Sequence, residues 1–161
     1  MSTSVTELPI KTANPTARGR LSPSSARLIL VLVACAAIAA SAAATGSAAS
    51  SRAVAEAGPD LTRLLRAMAG IKMLLAGLAA VAVYWRLGAA TGVLRLASYA
   101  AACGAMAAGP ALIWDMAHVG AGALLLHGGL LATILLLWRD PGTAAVLDRA
   151  IATRRSALRG R

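Results

Sequence analysis

Aromatic and acidic residues are scarce in this chain, and both shortages limit the classes of function that can be expected of it. Phenylalanine is absent, and tryptophan and tyrosine together make up 3% of the residues. Lysine and arginine outnumber aspartate and glutamate 16 to 6, which could suggest a nucleic-acid partner. However, the basic residues lie in tails and loops beside apolar runs, and there are almost no rings on which bases could stack. We therefore expect no nucleic-acid partner.

Residues that carry chemistry are equally few. The two cysteines, Cys35 and Cys103, both lie in apolar runs, so we expect buried thiols and neither a disulfide nor a zinc site. The chain has no nucleophile motif, phosphate-binding loop, metal-spaced cluster or carboxylate pair. The glycine-rich piece at 120–122 does not follow a strand, so it is not a dinucleotide fingerprint. We expect no catalytic residues, no bound metal and no enzymatic activity.

Long apolar runs are what the chain has in abundance. Hydrophobic residues make up 58% of the sequence and charged residues only 14%, whereas about a quarter is charged in a typical soluble domain. The pattern predicts an all-α integral membrane bundle of four transmembrane helices, at about 28–49, 61–86, 91–108 and 110–138. We expect the bundle to be flanked by a disordered tail at 1–26 and a basic tail at 140–161. The basic tail could form an amphipathic helix on an anionic membrane surface.

The first apolar run is open to two processing interpretations. A basic region, a short apolar core and then Ala40-Ser41-Ala42 fit a cleavable signal peptide, which would leave three helices. Leu32-Val33-Ala34-Cys35 also fits a lipoprotein cleavage site. Because the preceding tail is long for a signal and further spans follow, an uncleaved transmembrane helix is favoured.

Tryptophans bracket the last apolar run. Trp114 and Trp138 are 24 residues apart, which is about 36 Å of helix and enough to join the two headgroup zones of a bilayer. Trp85 marks the end of the second predicted helix in the same way. Gly109-Pro110 interrupts the apolar sequence before this run, and proline suits the first turn of a helix. We therefore predict that Pro110 opens the last helix.

The distribution of basic residues predicts the orientation. With four helices, the two tails and the connection near Arg86 and Arg95 share one side, which holds most of the 16 lysines and arginines. The other side holds Arg52, Arg63 and Arg66. The positive-inside rule then makes both termini cytoplasmic. An excess of arginine over lysine and abundant alanine favour a bacterial source, and hence the bacterial inner membrane.

Three ionisable residues are predicted to cluster near the opposite side. Asp115 and His118 are three residues apart and would share a helix face, and Lys72 would lie at a similar depth. The favoured interpretation is a salt bridge that ties the second helix to the fourth. The alternative is a small transporter or proton-handling protein that uses Lys72, Asp115 and His118 as its site.

His127 is predicted near the middle of the bilayer. It lies nine residues from His118, so the two should be on opposite faces and about 13.5 Å apart along the helix. The favoured role is a neutral packing histidine bonded to a neighbouring helix. A haem b ligand is the second alternative, and a haem with two histidine ligands would need a second copy of the chain or another subunit.

Small residues recur at helical spacing and predict close helix packing. They are Gly104, Ala108, Gly120, Ala121 and Gly128. With little polar surface and short connections, the favoured function is a non-catalytic multi-pass inner-membrane protein. Its partners would be the lipid bilayer and other membrane subunits or further copies of itself, as a subunit or assembly partner of a larger complex.

Overall fold

Four long helices make up most of the part of the chain that the structure describes. The computed structural model describes residues 20–144, 148 and 151–152. Within them lie helices α1 (Pro23–Thr45), α2 (Ser47–Arg86), α3 (Val93–Trp114) and α4 (Val119–Arg139). Each contains a stretch long and apolar enough to cross a membrane. The 21 residues of α4 extend about 32 Å, which matches a hydrocarbon core of about 30 Å. The predicted all-α bundle of four such helices is confirmed.

Helix α3 occupies the centre of the bundle and packs mainly against α4 and α1. Its buried side chains include Tyr99, Met106 and Ile113. The other helices leave large apolar side chains exposed, such as Leu78 on α2 and Leu131 on α4. An apolar outer surface of this extent would make a water-soluble protein aggregate, but it suits a bundle surrounded by lipid.

Two glycines set the shape of the first half. Gly46 has φ of 67° and separates α1 from α2, and Gly58 has φ of 76° and kinks α2 ahead of Pro59. Glycine tolerates this left-handed backbone because it has no Cβ. The predicted boundaries at residues 49 and 61 therefore need correction: α1 ends at Thr45, and helix precedes the kink. The alanine-rich sequence between the two glycines favours helix over the predicted loop.

The predicted boundary between the last two helices was wrong. Pro110 is buried inside α3, which continues to Trp114, and α4 begins only at Val119. The break comes at residues 115–118, where Met116 adopts φ of 63°. Proline is tolerated inside a helix of an apolar bundle because neighbouring helices pack around it. The actual break contains neither glycine nor proline, so it gives no signal in the sequence.

At one end of the bundle, the segment around the start of α1 contacts the end of α2 and the connection that follows it. Strand β1 (Arg20–Leu21) pairs antiparallel with strand β2 (Thr91–Gly92). Arg27 donates from Nε to the Tyr84 carbonyl at 3.1 Å, and its guanidinium lies 4.7 Å from the centroid of the Tyr84 ring. The predicted disordered tail at 1–26 is thus corrected at its end, because residues 20–26 belong to β1 and α1. Residues 1–19 and most of the predicted C-terminal amphipathic helix lie outside the described residues.

Candidate functional site

A buried ionic network closes the end of the bundle where β1 and β2 pair. We call Arg86, Arg95, Tyr99 and Asp140 the Asp140 cluster. The Asp140 side chain is only 1% exposed. Its Oδ1 accepts hydrogen bonds from Arg86 Nη2 at 2.8 Å and from Arg95 Nη1 at 2.9 Å. The Tyr99 hydroxyl donates to Oδ2 at 3.1 Å, and the Gly142 backbone N–H donates to Oδ1 at 3.0 Å.

Arg86 belongs to the same network, but not all of its N–H groups have a hydrogen-bond acceptor. Its Nε lies 2.7 Å from Asp140 Oδ2 as an ionic contact and not as an aligned hydrogen bond. Its Nη1 is buried with no hydrogen-bond partner among the described residues. Gly142 lies directly against the guanidinium, where a Cβ would collide with Nη2 and Cζ. Gly142 therefore covers the guanidinium of Arg86.

Asp140 is held as a carboxylate by this arrangement. Burial by itself raises the pKa of a carboxyl group, but three other effects outweigh it here. They are the hydrogen bond from Arg86, the hydrogen bond from the Gly142 N–H and the positive charges of Arg86 and Arg95. The pKa of Asp140 consequently lies below its ordinary value of 3.8. The ionised cluster joins the ends of α2 and α4 to the start of α3. Its role is therefore structural: it locks these helix ends together.

The Asp140 cluster was not predicted from the sequence, because its residues were considered separately. The sequence pattern indicates Arg86 and Arg95 as charges near one connection and places Asp140 at the start of the basic tail at 140–161. One signal was available: in an up-and-down bundle, the end of the second helix, the start of the third and the end of the fourth lie together. An isolated aspartate at one of these positions and arginines at the other two predict an ion pair. Tyr99, four residues after Arg95, lies on the same helix face.

Among the described residues, no ion pair joins the predicted cluster of Lys72, Asp115 and His118. Lys72 is half-buried in α2, and no described side chain pairs with it. Asp115 caps α3, and His118 is exposed just before α4. The two were predicted to share a helix face, but they stand on a turn with the left-handed Met116 between them. The helical spacing rule therefore does not apply to this pair.

A different basic residue contacts the tryptophan at this end. The guanidinium of Arg66 lies 5.5 Å from the centroid of the Trp114 ring, within the range of a cation–π contact. Trp85 and Trp138, both strongly exposed, lie at the other end, where α2 and α4 finish. The three tryptophans thus mark the two ends of the bundle, although Trp114 and Trp138 end different helices.

Close packing of α3 on α4 depends on glycines that the sequence pattern did not single out. A Cβ on Gly109 would lie 2.6 Å from the Gly122 carbonyl oxygen, and one on Gly129 would lie 2.7 Å from the Ala102 carbonyl oxygen. The inward face of α4 comprises Gly122, Leu126, Gly129 and Thr133, and all four residues are buried. Thr133 donates from its hydroxyl to the Gly129 carbonyl at 2.9 Å.

The small residues of α4 that were predicted to pack are not those that contact α3. A Cβ at Gly120 or Gly128 would have no neighbour within 4 Å, and Ala121 is exposed. In α3, by contrast, a Cβ on Gly104 would lie 3.3 Å from Cγ1 of Val33 in α1, and Ala108 is half-buried. In an alanine-rich helix, small residues occur on every side, so their spacing does not show which side faces the bundle.

His127 points away from the bundle. We call Gly120, Leu124, His127 and Leu131 the outward face of α4; all four are exposed. His127 lies eight residues past the start of α4, or about 12 Å along it, and so falls near the middle of the span. Its Nδ1 lies 2.7 Å from the Ala123 carbonyl oxygen of its own helix, and no described residue of another helix bonds to the ring.

This hydrogen bond fixes what His127 can offer to a ligand. A carbonyl oxygen only accepts, so Nδ1 carries the hydrogen. In the neutral ring, Nε2 is then an acceptor, and no described residue donates to it. The described residues include no group of three or more His, Cys, Asp or Glu side chains that could hold a metal ion.

Neither known families, nor curated proteins, nor solved structures gave a match to this chain.

Proposed function

We propose that the protein is a non-catalytic multi-pass membrane protein that serves as a subunit or assembly partner of a larger complex. Its composition favours the bacterial inner membrane, and its charge distribution favours both termini in the cytoplasm. The observation that carries the proposal is the position of His127. An ionisable side chain in the middle of a span normally faces protein or water, whereas this one is exposed on the outward face of α4.

The cost of leaving His127 against lipid supports a covering partner. Hydrocarbon offers no donor to the Nε2 lone pair, and a buried polar group without a partner costs roughly 1–3 kcal/mol on protein mutational scales. The neighbouring positions Gly120 and Gly128 have open space above them, so another helix can approach its backbone closely. A second transmembrane helix at this face would relieve the cost and bury the exposed Leu124 and Leu131.

The chemistry of Nε2 selects the partner. Two copies that met at His127 across a twofold axis would set one Nε2 acceptor against another, and two acceptors do not bond. The occupant we propose is therefore a helix of a different membrane protein that presents a hydrogen-bond donor, such as a serine or threonine hydroxyl, at mid-depth. The Asp140 cluster favours a role of this kind, because it fixes the bundle as a rigid platform.

Site-specific photo-cross-linking in native membranes tests the proposal. A photoreactive residue at Leu124 or Leu131 should give one discrete adduct with another membrane protein, and the same residue at Leu78 on the exposed side of α2 should not. His127→Leu should abolish the adduct, and His127→Asn, which keeps an acceptor, should retain part of it. An adduct of equal yield at Leu78, an adduct that contains only this chain, or one that persists in His127→Leu would contradict the proposal.

The same Nε2 lone pair also suits the haem b alternative, since imidazole is the usual axial ligand of haem iron. His118 lies ahead of α4 at the far end of the span, so it does not supply a second ligand to an iron bound at His127. A haem with two histidine ligands would need a second copy of the chain or another subunit. A visible spectrum of the protein purified from haem-supplied cells tests this: a Soret band that His127→Leu removes would favour haem over the helix partner.

A further inference from the structure

A groove of about 630 Å³ opens beside the Asp140 cluster, on the side of α3 and α4. Arg95 and Ser98 line it together with the apolar side chains of Leu94 and Leu136. Nothing in the proposed function involves this groove, which lies at the end of the bundle and away from His127.

Arg95 gives the groove its charge. Its side chain is 45% exposed, and only Nη1 is engaged, with Asp140. Nε and Nη2 have no partner among the described residues and remain available to a ligand. Because Arg86 and Arg95 share the single carboxylate of Asp140, the cluster carries one uncompensated positive charge. That charge lies where the groove opens.

The position of the groove within the bundle indicates what kind of anion it would meet. Trp85 and Trp138 are exposed at this end, and tryptophan prefers the headgroup zone of a bilayer. Leu94, 83% exposed, and Leu136 place apolar surface beside the guanidinium. A ligand with a phosphate at headgroup depth and an acyl chain that runs along the helices would satisfy both kinds of surface.

We infer that the groove binds the phosphate of an anionic phospholipid, with Nε and Nη2 of the Arg95 guanidinium as donors and the acyl chain against Leu94 and Leu136. The Ser98 hydroxyl lines the groove but donates to the Leu94 carbonyl at 3.0 Å. A guanidinium binds phosphate through paired, charge-assisted hydrogen bonds. This inference is independent of the partner helix at His127, and its failure would leave that proposal unchanged.

Native mass spectrometry of the detergent-purified protein with added phosphatidylglycerol or phosphatidylcholine tests it. We expect one phosphatidylglycerol to bind in preference to phosphatidylcholine, and an excess of inorganic phosphate to leave it bound. Displacement by inorganic phosphate at the lipid's own concentration would overturn the lipid assignment, because the acyl chain would then contribute nothing. Equal binding of the two lipids would overturn it as well.

Two arginines at the same end provide a matched comparison. Arg95→Gln should weaken phosphatidylglycerol binding about fivefold or more, and Arg139→Gln, which removes an exposed arginine outside the groove, should change it less than twofold. Equal losses would show general attraction to basic surface and contradict the groove. Because Arg95 also contacts Asp140, Leu136→Trp offers a second variant that fills the groove and leaves the cluster intact. It should weaken binding to a similar extent, and unchanged binding would also contradict the groove.

Discussion

The two faces of α4 each have a glycine, a leucine and one polar residue at the same spacing, but their surroundings are opposite. The inward face has Gly122, Leu126, Gly129 and Thr133, and the outward face has Gly120, Leu124, His127 and Leu131, each set at intervals of four, three and four residues. The polar group of the inward face is hydrogen-bonded to its own helix and buried against α3. The outward face leaves Nε2 of its polar group unpaired. The comparison teaches that the inward face builds the fold and the outward face remains available to a partner.

The largest predicted effect is at Asp140, where the inward side of α4 ends. Asp140→Ala leaves Arg86 and Arg95 without a counter-ion, and Arg86 is a buried guanidinium with 5% side-chain exposure. Removing one member of a buried pair costs about 3–5 kcal/mol, so we expect a large drop in the thermal stability of the detergent-solubilised protein.

The surface pair between Asp60 and Arg63 is the control for that experiment. Its atoms are 3.9 Å apart and both side chains are strongly exposed. Asp60→Ala should therefore leave the melting temperature unchanged. Similar losses for the two aspartate variants would mean that the Asp140 cluster does not lock the bundle.

Adjacent glycines on α4 provide the next test. Gly129→Ala puts a Cβ 2.7 Å from the Ala102 carbonyl oxygen and 2.9 Å from the Met106 nitrogen, and this overpacking should cost about 1–3 kcal/mol. Gly128→Ala meets no neighbour and should be neutral or stabilise the helix by up to about 1 kcal/mol. Thermal unfolding of both variants checks this. Greater sensitivity at Gly128 than at Gly129 would reverse the assignment of the two faces.

Acid should weaken the lock at Asp140 selectively. Because the pKa of Asp140 is lower in the folded protein than its ordinary value of 3.8, the carboxylate stabilises the fold at pH values above that value. This contribution is lost as the pH falls through the lower, folded-state pKa. Melting temperatures measured from neutral pH into acid should fall less in Asp140→Asn than in the wild type. Parallel curves for the two proteins would contradict the ionised cluster.

The smallest expected effect is at Lys72. No described side chain pairs with it, so Lys72→Met should cause no loss of thermal stability. A loss comparable to that of Asp140→Ala would show that Lys72 has an ionic partner after all and would revive the salt bridge predicted between the second and fourth helices.

The sequence was sufficient to predict the helices and not their contacts. Apolar length gave the number of spans, because crossing a bilayer sets a minimum length that little else requires. The prediction of helix boundaries failed at the turn before α4, where Met116 adopts a left-handed backbone without a glycine or proline. It also failed at Pro110, which packs inside α3. Both failures arise because tertiary packing overrides the local signal.

The faces of α4 could not be assigned from the sequence for a related reason. The two sets of residues are offset by two positions, or about 200° around the helix, and each begins with a glycine. The close approaches of Gly122 to Gly109 and of Gly129 to Ala102 show which set faces the bundle. The position of His127 followed from the length of the span, but its exposure depends on how α4 is rotated against α3.

The most direct measurement is the mass of the particle that carries this chain when it is extracted from native membranes without denaturation, for example in polymer-bounded lipid discs. The chain itself is 16.1 kDa. We predict that the protein part of the wild-type particle contains this chain together with a second, different membrane protein, and that the His127→Leu particle contains this chain alone with unchanged thermal stability. A wild-type particle that holds a single copy of the chain and no other protein would contradict the assignment of the outward face of α4 to a partner.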